Sequence, residues 1–260
     1  MYLSIFIFFI SSLVPTHPTE KNLISDCSSV LDDAKEARKQ KNLLKEIEIL
    51  EEGIKKGCKD DSKAYSQLSL CYLEAGDQSY SDRGSKDKET RKQYFDIALE
   101  TARISAKLDS TNKYAFERKA MAFAGILDVN GIKEKVQLAD SVRINAEIAL
   151  KLDPNNDRAL HILGRWHYEV SQFGGFLRFL ARLFFGTAPE ASLEKSLEYF
   201  QRAAYLDDFP VHHYWLGLTY LELNDKNNAR SHFNHLLEIE NQHHNDEYFK
   251  NLALEYLNDL

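Results

Sequence analysis

The sequence predicts an all-α protein, an α-solenoid of helical hairpins stacked in one direction. Three observations predict it. From Leu23 onward, apolar residues recur at three- and four-residue steps, as they do on one face of an amphipathic helix. The five prolines, at 15, 18, 154, 189 and 210, fall before or between these patterns, so no helix interior is broken. Similar tags close successive patterns: Ala-Lys-Leu-Asp-Ser-Thr-Asn at 106–112, Leu-Lys-Leu-Asp-Pro-Asn-Asn at 150–156, Ala-Tyr-Leu-Asp-Asp at 204–208 and a weaker Leu-Glu-Ile-Glu-Asn at 237–241. A chain of 260 residues is long for one compact core but ordinary for an array that grows by repetition.

Residues 1–22 read as a leader. Tyr2 to Val14 is an uncharged apolar run of 13, shorter than the roughly 20 residues a membrane span needs and of signal-peptide length. No Lys or Arg precedes it and no Ala-x-Ala site follows. The expectation is a cleaved export signal, which would make the protein periplasmic or secreted; the alternative is an uncleaved membrane anchor.

The repeat domain then spans 23–260. Its first hairpin covers 23–58, with Leu43, Ile47, Leu50 and Ile54 on one face of the second helix and Lys41-Asn42 as the turn. Cys27 and Cys58 stand equidistant from that turn, at the hairpin's open end. An exported chain can tie them as a disulfide, worth roughly 3–4 kcal/mol for a loop of about 30 residues; the alternative is two unpaired thiols. Cys71, in an apolar helix, reads as core. The next two hairpins, 61–110 and 113–154, are looser. Leu68, Ser69 and Tyr72 precede a helix over 91–108; Phe116, Ala120 and Phe123 precede one over 136–152. The polar stretch Gln78–Lys88 reads as a solvated loop.

The hairpins at 157–208 and 211–240 follow the tetratricopeptide pattern, small residues where two helices cross and large ones filling the groove beside them. The later one carries Leu216, Gly217 and Tyr220, then Ala229, Phe233 and Leu236. The earlier one carries Leu163, Gly164 and His167, then Ser196, Phe200 and Ala203. Gly217 and Ala229 are 12 apart, Gly164 and Ser196 are 32 apart, so the earlier repeat holds 20 extra residues. A last amphipathic helix at 245–258 is expected to cap the array.

Leu163-Gly164-Arg165-Trp166-His167-Tyr168-Glu169-Val170, then Phe184-Phe185-Gly186-Thr187-Ala188-Pro189, then Ser192 to Ala203, resembles the regulator of microtubule dynamics family. The resemblance runs over roughly 63–257 and implies a non-enzymatic adaptor with tetratricopeptide-like repeats. It further implies association with microtubules and with mitochondrial or other organelle membranes, and lipid handling at membrane contacts. Charge speaks against the microtubule part. The chain has 33 Lys and Arg against 40 Asp and Glu, a net charge of −7, and no basic tract to meet acidic tubulin tails. The same balance excludes a nucleic-acid footprint.

The candidate partner- or ligand-binding residues centre on the insertion. Phe173, Phe176, Leu177, Leu180 and Phe184 fall on one helical face, Arg178 and Arg182 on the other. This helix is either internal core, since so many exposed rings would be costly, or a lid or surface meeting an apolar ligand, membrane or partner helix. Trp166 reads as a packing residue beside the insertion. Arg165 either pairs with Glu169 four residues on or binds a ligand's acidic group. His212, His213, His232 and His235 gather on two paired helices, but no Cys joins them and no His-Glu-x-x-His occurs, so no metal site is expected. No nucleophile elbow, phosphate loop or dinucleotide fingerprint is present, and neither catalysis nor a cofactor is expected. The function expected is a scaffold that binds a protein or peptide in its concave groove; the alternative is a lipid or apolar-ligand carrier closed by the 173–185 helix.

Overall fold

The tags at the helix ends explain how the chain turns. In the computed structural model, which describes residues 27–81, 87–129, 132–172, 174, 190–243 and 245–260, each of the first two tags ends a helix on Leu and folds back on Asp. The carboxylates of Asp109 and Asp153 accept from the backbone N–H of Thr111 and Asn155, at 2.8 and 3.1 Å. The closing Asn of the second tag, Asn156, then caps the next helix by accepting from Ala159 N at 2.9 Å.

Eleven α-helices and no strand occur among the described residues. They pair as α1 (Cys27–Lys39) with α2 (Leu43–Gly53), α3 (Ser62–Ser81) with α4 (Asp87–Leu108), α5 (Lys113–Val129) with α6 (Ile132–Leu152), α7 (Asp157–Ser171) with α8 (Leu193–Leu206), and α9 (Pro210–Glu222) with α10 (Lys226–Glu238). Helix α11 (Asp246–Asp259) lies over the end of the last pair, where Phe249 meets Tyr214 and Tyr256 stacks on Phe233. The architecture is an α-solenoid of tetratricopeptide type. Two tight hairpin turns use the left-handed region, Lys41 at φ 55° and Asn224 at φ 60°, where a helix end closes onto the next start.

Three boundaries differ from the sequence reading. Helix α2 does not run evenly to Gly57 but passes at Ile54 into a π-helical turn ending at Cys58. The described residues of the stretch 78–88 are helical: α3 continues to Ser81 and α4 starts at Asp87. Helix α6 likewise begins at Ile132. Residues 1–26 lie outside the described residues, and so do Phe173, Phe176, Leu177, Arg178, Leu180, Arg182 and Phe184 of the insertion.

Glycines set the closest helix contacts. A Cβ on Gly217 would stand 2.3 Å from the Phe233 ring, and one on Gly164 would stand 2.7 Å from the Phe200 ring. Both rings are fully buried. Phe95 of α4 plays this part for two helices at once, since a Cβ on Gly76 or on Gly125 would come within 2.6 or 2.7 Å of its ring. The first hairpin instead sets Val30 against Gly53 and joins Cys27 to Cys58 by a disulfide, with Cα atoms 5.4 Å apart. Cys71 is buried and free.

Candidate functional site: the concave groove

Helices α1, α3, α5, α7 and α9, with α11 beyond them and single residues or pairs from α2, α4 and α6, line one concave groove of about 1110 Å³. Its floor is apolar and aromatic, with Leu73, Phe95, Met121, Ile162, Trp215 and Phe249 among its residues. Charged side chains are set into that floor, and most are tied to one another.

At the α1 end, Arg38 donates to Glu46 at 3.0 Å and to Glu74 at 2.7 Å, while Gln67 donates to Glu46 at 2.7 Å. Glu46 is buried, so this network supplies the hydrogen bonds that its charge requires. Further along, burial pushes the Asp77 carboxyl up to about 7, with Asp128 adding repulsion and Arg91 and Arg165 opposing it. Asp77 therefore loses its charge near neutral pH.

Arg165 occupies the middle of the groove. Its guanidinium lies over Trp215 at 4.7 Å from the ring centroid and stands 3.8 Å from both Asp128 and Glu169. The ion pair with Glu169 is one the four-residue spacing offers, whereas Asp128 arrives from α5. Trp166, its neighbour, is buried against the preceding repeat: its indole donates to the Ala139 carbonyl at 2.9 Å, and Arg143 covers its ring. The structure thus separates two adjacent residues, one facing the groove and one packed between hairpins.

Next to Arg165 is a pair of histidines not singled out as a pair in the sequence. His161 and His212 meet through their Nδ1 atoms at 2.8 Å, and His212 Nε2 stands 3.7 Å from Asp157. Burial and the neighbouring His212 and Arg165 hold His161 well below its ordinary pKa, so it is neutral. Burial pushes the Asp157 carboxyl up, but His212, 3.7 Å away, together with Arg158 outweighs it and holds the group below its ordinary value. Arg165 Nε, Asp157 Oδ2 and His212 Nε2 are all buried without a hydrogen-bond partner, and all three belong to groove-lining residues.

His213, His232 and His235 lie outside this groove lining. His213 on α9 and His232 and His235 on α10 cluster, with Asp208 joining them from the loop before α9. Asp208 could not be found by scanning for helical spacings, because it sits off the helices that carry its partners.

Comparisons with known proteins agree with this architecture. The family described as Regulator of microtubule dynamics protein 1-3 matches residues 25–260. Regulator of microtubule dynamics protein 1 of Homo sapiens is 30% identical over 131 residues, which is 50% of this chain and 42% of that protein. Regulator of microtubule dynamics protein 3 of Rattus norvegicus is 23% identical over 247 residues, 91% of this chain and 51% of that protein. The chain thus spans about half or less of the length of these curated relatives. Among solved structures, a thermophilic tetratricopeptide protein of Thermus thermophilus superposes with a TM-score of 0.63 at 13% identity, covering 88% of this chain and 98% of that one. The chain belongs to the regulator of microtubule dynamics family.

Proposed function

From that membership and from the lining of the groove, we propose that this chain is a non-enzymatic adaptor whose concave face takes a peptide or helix of a partner protein. One observation carries the reading. Three buried polar atoms, on Arg165, Asp157 and His212, have no hydrogen-bond partner and lie in a groove floored by aromatic and aliphatic side chains. Unsatisfied buried polar groups are rare because each costs about 1–3 kcal/mol. Here they suit the amide and side-chain groups of a bound segment, while Trp215 and Phe249 suit its apolar side chains.

The test is site-specific photo-crosslinking in the native host, with the reactive group at Met121 or Tyr248 in the groove and at the exposed Tyr205 as control. One protein captured from the groove positions and not from Tyr205 is expected, and a synthetic peptide of its crosslinked segment should bind purified chain. Arg165→Glu should weaken that peptide at least tenfold. A chain that carries an acyl lipid in native mass spectrometry, with no protein captured from the groove, would overturn the adaptor reading in favour of an apolar-ligand carrier.

The compartment belongs to the same proposal. The 13-residue apolar leader and the Cys27–Cys58 disulfide support export to an oxidising compartment, periplasmic or extracellular. Fractionation of the host with N-terminal sequencing tests it. A mature start near residues 15–22 is expected, and an intact leader in the membrane fraction points to an anchor instead.

A further inference from the structure

Asp208, His213 and His235 converge from three segments. Asp208 lies between α8 and α9, His213 in the first turn of α9, and His235 in the last turn of α10. His213 Nε2 is 2.6 Å from Asp208 Oδ1, and His235 Nε2 is 3.1 and 3.2 Å from the two carboxylate oxygens. One ligand atom from each residue fits within a sphere of contacts no longer than 4.8 Å. We propose that these three side chains bind a divalent transition metal, with Zn²⁺ the ion best suited to the donors.

Two imidazoles and one carboxylate are a donor set that such ions accept, and they leave a fourth tetrahedral position for water. Metal–N and metal–O bonds of about 2.0–2.2 Å place ligand atoms roughly 3.3–3.5 Å apart in a tetrahedron. The two contacts of His235 therefore need to open by only a few tenths of an ångström, and that of His213 by somewhat more. The side chains that must move are free to do so: Asp208 is 56% exposed and His235 45%, whereas His213 at 8% is the fixed point.

A second, independent feature is the support behind His213. Its other ring nitrogen, Nδ1, meets His232 Nδ1 at 3.0 Å, and His232 is itself stacked on Tyr220 with centroids 5.4 Å apart. A ligating histidine normally donates its second N–H to such an acceptor, which fixes the ring and turns the Nε2 lone pair toward the ion. His232 is placed to do this, and it touches neither Asp208 nor the proposed ion. The two imidazole ligands also stand on the two helices of one tight hairpin, so the site is held by the fold at His213 and closed by the exposed pair.

The experiment uses the full chain without a histidine tag, stripped with chelator and titrated with Zn²⁺ or Co²⁺ alone by calorimetry and visible absorption. One equivalent should bind, and Co²⁺ should give the intense visible bands of a four-coordinate site. Asp208→Asn and His235→Ala, both at exposed positions, should each weaken binding at least tenfold with unchanged circular dichroism. His232→Phe should weaken it about 10–100-fold, as loss of an outer-shell partner does. His243→Ala should change nothing. Absence of stoichiometric uptake, or uptake equal in wild type and the Asp208 and His235 variants, overturns the proposal and leaves Asp208 as a hydrogen-bond acceptor for two imidazoles.

Discussion

The first and last hairpins of the array hold two helices together by different chemistry. In α9–α10 the Phe233 ring covers Gly217, and the pair α7–α8 repeats this with Phe200 over Gly164. In α1–α2 the glycine is on the second helix, Gly53, and the side chain of Val30 covers it. There the open ends are joined covalently, Cys27 to Cys58. A buried ring spanning a glycine supplies contact area and fixes the crossing point at once. Where a smaller valine does this, a disulfide limits how far the unfolded hairpin can spread. The 20 extra residues between Gly164 and Ser196 leave the ring-on-glycine contact intact, so the interface, and not the connection, defines the repeat.

The largest effect should come from removing the rings. Phe233→Ala and Phe200→Ala should each cost about 3–5 kcal/mol, because both side chains are fully buried and the glycine opposite cannot fill the void. Thermal unfolding followed by circular dichroism measures this. Equal losses would show that the two hairpins are equivalent. A much smaller loss for Phe200→Ala would mean that the insertion-bearing repeat is held by something other than its ring.

Next comes the staple. Replacing both Cys27 and Cys58 by Ala should cost about 3–4 kcal/mol, the loop-closure entropy for residues 31 apart. Protection of α1–α2 amides in hydrogen exchange should fall while that of α9–α10 stays, since repeats couple mainly to their neighbours. If the melting temperature and exchange do not change, Val30 on Gly53 suffices and the contrast between the two ends fails.

Adding one methyl group tests the glycines directly. Gly217→Ala places a Cβ 2.3 Å from a ring atom that has no room to yield, and Gly164→Ala places one at 2.7 Å. Overpacking of this kind costs about 1–3 kcal/mol, against which alanine regains up to about 1 kcal/mol of helix propensity. Both variants should lose stability, Gly217→Ala the more. The reverse order would mean that α7 and α8 cross more tightly in solution than their ring contact indicates.

How much of this was legible depended on where the contacts lie in the chain. Gly217, Ala229 and Phe233 belong to one hairpin, and their spacing announces both the fold and the lock. The Gly164–Phe200 lock was equally readable once the extra residues were set aside. Phe95 over Gly125 was not, because that contact joins successive hairpins whose relative placement no local spacing encodes. The disulfide was readable from symmetry about a turn, although thiols alone would have satisfied that symmetry. In the groove, Arg165 and Glu169 were visible as a helical pair, but Asp128 reaches Arg165 from another repeat and His161 meets His212 across two helices. Asp208 was hidden for the same reason, a loop residue completing a set borne on helices. The Phe-rich insertion, which the sequence marks as the most distinctive stretch, lies outside the described residues, and its role as core or lid stays with the binding experiments above.

The finest difference between the two lock-bearing hairpins is a single hydroxyl. Where α10 has Ala229, α8 has Ser196, fully buried, donating to the Gly164 carbonyl at 2.9 Å and lying 3.4 Å from the Thr219 hydroxyl. It thus ties the insertion-bearing hairpin across its own crossing point and touches the hairpin that follows. Ser196→Ala makes the two hairpins alike at this position. One hydrogen bond is worth about 0.5–1.5 kcal/mol, and alanine returns a few tenths through helix propensity, so a net loss near 0.5–1 kcal/mol is expected. Thr219 keeps its bond to the Trp215 carbonyl at 2.8 Å, so no buried hydroxyl is orphaned. A null effect would make Ser196 a small filler interchangeable with Ala229. A loss above about 2 kcal/mol would show that the repeat with the long connection relies on a polar tie that its neighbour, with its short turn, does without.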